Sequence, residues 1–249
     1  MAEATLKESY RQLVATWDAI VPERKDALVD ELLLGYAFNS GHIENGLITL
    51  HDTREVFENG RVVSFTGDIR TLFEIQNLKT SWEWGRAQAV PGLLFDEATA
   101  LQAHLLLTQG TYDEHRWNRG ERPGSYKLGE YVVGAQAVGA PAADVPARMR
   151  ELFDEVNGAM GDTANALTVA AYLHAGIVDV HPFADGNGRV ARLLMNMALL
   201  SMGQPPIVVR EQDRIAYYGA LDAFRADGDL VPFREFLRSE SLMTWAGLA

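Results

Sequence analysis

Twelve consecutive residues, His181-Pro-Phe-Ala-Asp-Gly-Asn-Gly-Arg-Val-Ala-Arg192, hold most of the chemistry that can be read from this chain. Gly186 and Gly188 open backbone conformations closed to other residues, so successive N–H groups can converge on one anion. Arg189 and Arg192 are three apart, hence on one face of the helix that should follow. A helix start favours negative charge, and two guanidiniums beside it make a site for a polyphosphate. Asp185 is a hard oxygen ligand of the kind that holds Mg²⁺ against phosphates. His181, with an ordinary pKa near neutrality, is suited to accept a proton.

The elements that position this loop read mostly as helices. Leu6, Tyr10, Leu13, Val14 and Trp17 recur at helical spacing, and further helices are expected over Glu23–Phe38, His51–Asn59, Asp68–Gly85 and Glu97–Gln109, the last capped by Asp96. Between Thr111 and Val138 the helical pattern stops, and Tyr126–Val133 around Gly129 reads as a short β-hairpin. Helices resume over Ala143–Asn157, Thr163–Val178, Asn187–Met202, Asp213–Ala226 and Pro232–Trp245. The helix after the loop is apolar around most of its circumference (Val190, Leu193, Leu194, Met197, Leu199, Leu200), which predicts burial at the centre of a bundle. Its arginines would then floor a concavity. One mostly helical domain over 1–249 is the simplest expectation.

Composition narrows the function. A formal charge of −12 argues against nucleic acid or an anionic membrane as the main partner. Without cysteine there are no disulfides and no thiolate metal sites. The N-terminus lacks the basic-then-apolar layout of a signal peptide, and no apolar run is of spanning length, so a soluble cytoplasmic protein is expected. His174 precedes His181 by seven residues, but Pro182 breaks the helical geometry a metal pair would need, so a hydrogen-bonded core histidine is expected there. His42, His51, His104 and His115 show no metal spacing.

The twelve residues match the Fic family signature, His-x-Phe-x-Asp-Gly-Asn-Gly-Arg-x-x-Arg, at every fixed position. The resemblance implies an all-α helical bundle with one β-hairpin flap, an N-terminal helical region of about 1–60 and a core of about 95–245. It implies an AMP transferase (AMPylator) that moves AMP from Mg²⁺-ATP to a Ser, Thr or Tyr hydroxyl of a target protein, the chain itself included. His181 would be the base and Asp185 the Mg²⁺ ligand. Gly186, Asn187 and Gly188 would cradle the α- and β-phosphates, and Arg189 and Arg192 the β- and γ-phosphates. Ser40-Gly-His-Ile-Glu-Asn45 resembles the family's inhibitory motif, with Ser40 and Glu44 at its fixed positions. By that resemblance Glu44 binds Arg192 and withholds it from the γ-phosphate.

Gly124-Ser-Tyr126-Lys127 is similar to the pattern entering the family's target-aligning flap, with lysine where arginine is frequent. Val133, Gly134, Ala135 and Gln136 stand at the flap exit, where relatives touch the nucleotide. Tyr217 and Tyr218 stand where the family lines its adenine pocket. Relatives often self-associate, so the resemblance leaves a homo-oligomer open, and the sequence does not fix the oligomeric state. Some relatives with the same glutamate remove AMP instead, and the sequence does not separate the two directions. A kinase of the Doc branch is disfavoured by the intact Asp-Gly-Asn-Gly pattern. A non-catalytic scaffold is disfavoured by the retention of His181 and Arg192.

Overall fold

The computed structural model describes residues 3–62, 65–133, 136–137 and 139–248. Its centre is an antiparallel helix pair, α8 (Ala166–Val180) and α9 (Asn187–Ser201), joined by the 181–186 loop. Both are apolar on nearly every face, so both are buried nearly all round. Even Arg189 and Arg192 in α9 are at most 3% exposed.

The other helices wrap this pair. In chain order they are α1 (Glu3–Asp18), α2 (Pro22–Glu44), α3 (Leu50–Asn59), α4 (Ile69–Gln88), α5 (Glu97–Thr108), α6 (Glu114–Asn118), α7 (Val145–Ala159), α10 (Arg214–Asp227) and α11 (Val231–Thr244). Their starts follow sequence signals: Thr49, Asp68 and Asp96 each accept a first-turn N–H, and Pro22 opens α2. α1 is fastened to α11 by Trp17, whose ring lies 4.9 Å from Trp245 and whose Nε1–H donates to Gly203 O. The bundle thus agrees with the expected all-α class.

Three details differ from the sequence reading. First, α2 runs six residues past Phe38 and ends at Glu44, so Ser40–Glu44 lies in its last turns and Asn45 is its C-cap. Gly41 permits this. A Cβ there would meet Ile48 Cδ1 at 2.8 Å and Leu78 Cδ1 at 3.0 Å, so the bare backbone lets α2 lie directly on its neighbours.

Second, the segment after Thr111 contains the short helix α6, started by Asp113, which accepts from Arg116 N. Third, the strand pair is not at Tyr126–Val133. It joins β1 (Val132–Val133) to β2 (Gln136–Ala137), antiparallel, with Val132 opposite Ala137. The main-chain donors of residues 127 and 128 go elsewhere, Lys127 N–H to Pro182 O and Leu128 N–H to Glu121 Oε1.

Candidate functional site

α8 ends at His181, which takes the left-handed conformation (φ 50°) while its N–H still donates to Ile177 O. It has the only positive φ of any described residue other than glycine. Such a residue is held by its surroundings rather than by preference. Here the surroundings are tight: a Cβ on Gly139 would lie 2.3 Å from His181 Cβ and 2.5 Å from Val180 O. Ala140 N–H donates to Val180 O, and Lys127 N–H to Pro182 O, so the chain on both sides of the strand pair is tied to the loop.

Inside the loop, Asn187 bonds both main-chain groups of Phe183, accepting from its N–H at 2.9 Å and donating to its carbonyl at 2.8 Å. Gly186 (φ 84°) turns the chain into α9 with no side-chain cap among the described residues. The first-turn N–H groups are therefore available to an anion, in the field of the helix dipole. Phe183 is fully buried and stacks on His104, centroids 3.9 Å apart. His104 Nδ1 accepts from Gly124 N–H, so its Nε2 carries the proton that it gives to Asp185 O.

Beside the loop lies a cavity of about 970 Å³, lined by Glu44, His181, Asn187, Gly188, Tyr217 and Tyr218 among others. Burial chiefly, then the charges of Lys127 and Arg225, push the His181 imidazole down to about 4, despite the opposing pull of Glu44 and Asp185. At neutral pH it is an unprotonated base facing open space.

Glu44 reaches into this cavity from the end of α2. Its Oε1 accepts from Arg192 Nη2 at 2.8 Å. Arg192 is 1% exposed, and each of its guanidinium nitrogens has a partner. Nε donates to Ser40 Oγ, Nη2 also to Ser40 O, and Nη1 to Tyr217 Oη at 3.3 Å. Tyr217 Oη also shares a hydrogen bond with His174 Nε2 at 3.1 Å. His174 is thus the core histidine expected from sequence. Gly188 makes the approach of Glu44 possible: a Cβ there would be 2.4 Å from Glu44 Oε1.

Other expected residues sit elsewhere. Arg189 is buried beneath the loop with Nη2 on Asp185 Oδ1 at 3.2 Å, and it does not line the cavity. Tyr126 packs on Phe183, 5.6 Å between centroids, and Lys127 is buried. Val133 and Gln136 oppose each other in the strand pair, while Gly134 and Ala135 lie outside the described residues. The structure adds residues the motifs did not flag, Asp144, Arg148, Arg214 and Asp222 at the cavity wall, and places there Arg225, to which the sequence assigns no role. Their spacing carried a faint signal, since Asp222 and Arg225 pair one turn apart on α10, as do Arg214 and Tyr218.

Among the described residues no three His, Asp or Glu side chains group into a metal cage. Asp185 still fits a cation carried in with phosphates, which needs only one or two protein carboxylates. Burial raises its carboxyl pKa, but Arg189, Arg116, Arg70 and the Gly186 N–H more than offset that and hold it below the ordinary range. It is a carboxylate at any working pH.

The chain is similar to several known proteins. The model of the Fic/DOC family matches residues 94–199. The "Protein adenylyltransferase Fic" of Drosophila persimilis is 38% identical over 96 residues, 36% of this chain and 19% of the relative. Its Aedes aegypti counterpart is 43% identical over 82 residues, 31% of this chain and 16% of the relative. The match thus spans less than a fifth of the length of these curated relatives. A Fic domain containing signaling protein from Bacteroides thetaiotaomicron superposes with a TM-score of 0.83 at 24% identity, covering 96% of this chain and 95% of the other. Fic-1 from C. elegans (residues 134–508) gives 0.81 at 22% identity, covering 98% and 72%. At such identities these two define the fold. No helix among the described residues is long and apolar enough to cross a membrane.

Proposed function

We propose that the protein is an AMP transferase restrained by its own Glu44, a reading supported by the match of the Fic/DOC family model to residues 94–199. The observation that carries the reading is the placing of one neutral histidine and one uncapped, glycine-rich helix start on the same cavity. The base and the phosphate cradle need to meet there and nowhere else.

In this reading ATP lays its α- and β-phosphates on the Gly186, Asn187 and Gly188 backbone at the start of α9. Arg192, once free of Glu44, takes the γ-phosphate, and Arg189 supplies positive charge from beneath the loop. Tyr218, 37% exposed, offers a ring to the adenine, and Tyr217 backs it. His181 accepts the proton of a target Ser, Thr or Tyr hydroxyl as that oxygen bonds to the α-phosphorus and the bond to pyrophosphate breaks. Asp185 is the residue that would hold Mg²⁺, which supplies charge neutralisation to the phosphates. Tyr126 and Lys127 anchor the segment that aligns the target, through the Lys127 N–H bond to Pro182 O. Positioning and electrostatics do most of the work in such transfers.

The test is incubation with α-labelled ATP. Glu44→Gly should label itself or a protein in cell lysate, and Glu44→Gly with His181→Ala should not. Label retained without His181 would remove the mechanism. Loss of AMP from a modified protein, by the native chain but not by Glu44→Gly, would reverse its direction.

A further inference from the structure

Asp185 has two carboxylate oxygens with different company. Oδ1 is served by its own loop: the Gly186 N–H at 2.7 Å and Arg189 Nη2 at 3.2 Å. Oδ2 instead accepts from Arg70 Nη2 at 2.9 Å, with Arg116 Nη2 standing off at 3.7 Å. Arg70 belongs to α4, far from the signature in sequence. Its Nε donates to Glu74 Oε1 at 3.0 Å, so one edge of the guanidinium is split between two carboxylates. Glu74 is 4% exposed, and each of its oxygens therefore needs a protein donor. The donor to Oε2 is Asn45 Nδ2, at 2.7 Å. Asn45 directly follows Glu44.

We propose that Glu74 and Arg70 are positioning residues that make Asp185 Oδ2 answer to Asn45. The Nε/Nη2 edge of an arginine matches the fork of a single carboxylate. While Asn45 holds Glu74 Oε2, Arg70 can give Glu74 only its Nε, and Nη2 goes to Asp185. When Asn45 withdraws, Oε2 is left buried and unserved, and Arg70 Nη2 is the donor placed to satisfy it. Arg70 then grips Glu74 at both oxygens and leaves Asp185 Oδ2 to a cation. Arg189 Nη1, 3.7 Å from Glu74 Oε1, is kept from this exchange by the bond of its Nη2 to Oδ1. One turn of chain thereby governs both halves of the site. Glu44 withholds Arg192 from the nucleotide, and Asn45 withholds Asp185 from the metal.

The inference rests on the cation–nucleotide site proposed above, and its test reads binding rather than turnover. Mn²⁺ is titrated by electron paramagnetic resonance into the full chain with ADP, which lacks the γ-phosphate that Arg192 would hold. Asn45→Ala should bind Mn²⁺ about fivefold tighter or more, the lower end of ordinary inter-site coupling. Arg70→Gln should also tighten binding, and Asn45→Ala should add nothing once Arg70 is gone. If Arg70→Gln does not fold, Arg70→Lys replaces it, since an ammonium cannot present the two-point edge. Unchanged Mn²⁺ binding in a folded Asn45→Ala chain, or an Asn45→Ala effect that persists in full without Arg70, overturns the coupling. Asp185→Ala separates the two levels. If it binds Mn²⁺ with ADP as well as the native chain does, the cation site itself is wrong and the coupling falls with it. If it loses binding while Asn45→Ala changes nothing, only the coupling is wrong.

Discussion

Glu44 Oε1 and Arg192 Nη2 meet at 2.8 Å although 148 residues separate them, and the contact is made above the bare Cα of Gly188. A charge-assisted bond of this kind contributes about 1.5–3 kcal/mol. Freeing Arg192 by Glu44→Gly should therefore raise AMP transfer about tenfold or more, taking 1.4 kcal/mol as a factor of about ten. Initial rates with α-labelled ATP measure this, and equal rates for the two chains would show that Glu44 does not restrain the site.

The pH profile of that transfer follows from His181. Its imidazole is held down at about 4, and removing Glu44 takes away an influence that raised it. The base is unprotonated throughout the neutral range, so the rate in Glu44→Gly should be level there and halve only near or below pH 4. Brief pH-jump assays measure the limb. A half-point near the ordinary histidine value of about 6.5 would mean the imidazole is not desolvated as the structure shows.

Stability should depend on pH through the same chemistry. Burial lowers His104 to about 3, His181 to about 4, and His174 well below its ordinary value. Below about pH 6.5 the unfolded chain takes up protons that the folded chain refuses. Folded-state stability is thus complete above that pH and declines as pH falls, by up to about 1.4 kcal/mol per pH unit for each histidine. Chemical unfolding at pH 7 and pH 5 should show a clear loss at the lower pH. Equal midpoints would contradict it.

Tyr217→Phe distinguishes two roles for this ring. Its hydroxyl accepts from Arg192 and is hydrogen-bonded to His174, both buried. Losing it strands two polar groups at about 1–3 kcal/mol each. The variant should melt at lower temperature with the KM for ATP little changed. A raised KM with unaltered melting would make the hydroxyl a nucleotide contact instead.

Gly139→Ala should damage catalysis from outside the signature. The new Cβ would collide with His181 Cβ and the Val180 carbonyl, at a φ of 79° that alanine disfavours by about 1–2 kcal/mol. The rate constant for transfer should fall by more than nucleotide affinity does, measured by single-turnover labelling beside ATP titration. A rate equal to that of the unsubstituted chain would show that His181 does not depend on this contact.

The loop itself was legible because its residues act through local geometry: glycines turn, asparagine closes, and a helix begins. The buried character of α9 was equally visible in its apolar circumference. The end of α2 was not, because Ser40 and Gly41 discourage a helix locally and only packing on Ile48 and Leu78 carries it through. The strand pair was misplaced for a related reason, since β-type residues near Tyr126 spend their polar groups on Glu121 and Pro182. Least legible were Arg70, Glu74, Arg116 and His104. No spacing rule brings residues from α4, α5 and α6 around one aspartate, with Arg70 and Arg116 at its carboxylate and His104 at its main-chain carbonyl.

Gly188 serves two occupants of one small volume. The space left by its missing side chain is what admits Glu44 Oε1, and it adjoins the backbone proposed to cradle phosphate. A methyl group there would press on the Glu44 carboxylate and on the proposed phosphate cradle together. On the proposed reading, a substitution at Gly188 therefore cannot free Arg192 without also crowding the nucleotide, whereas substitutions in Ser40–Asn45 can.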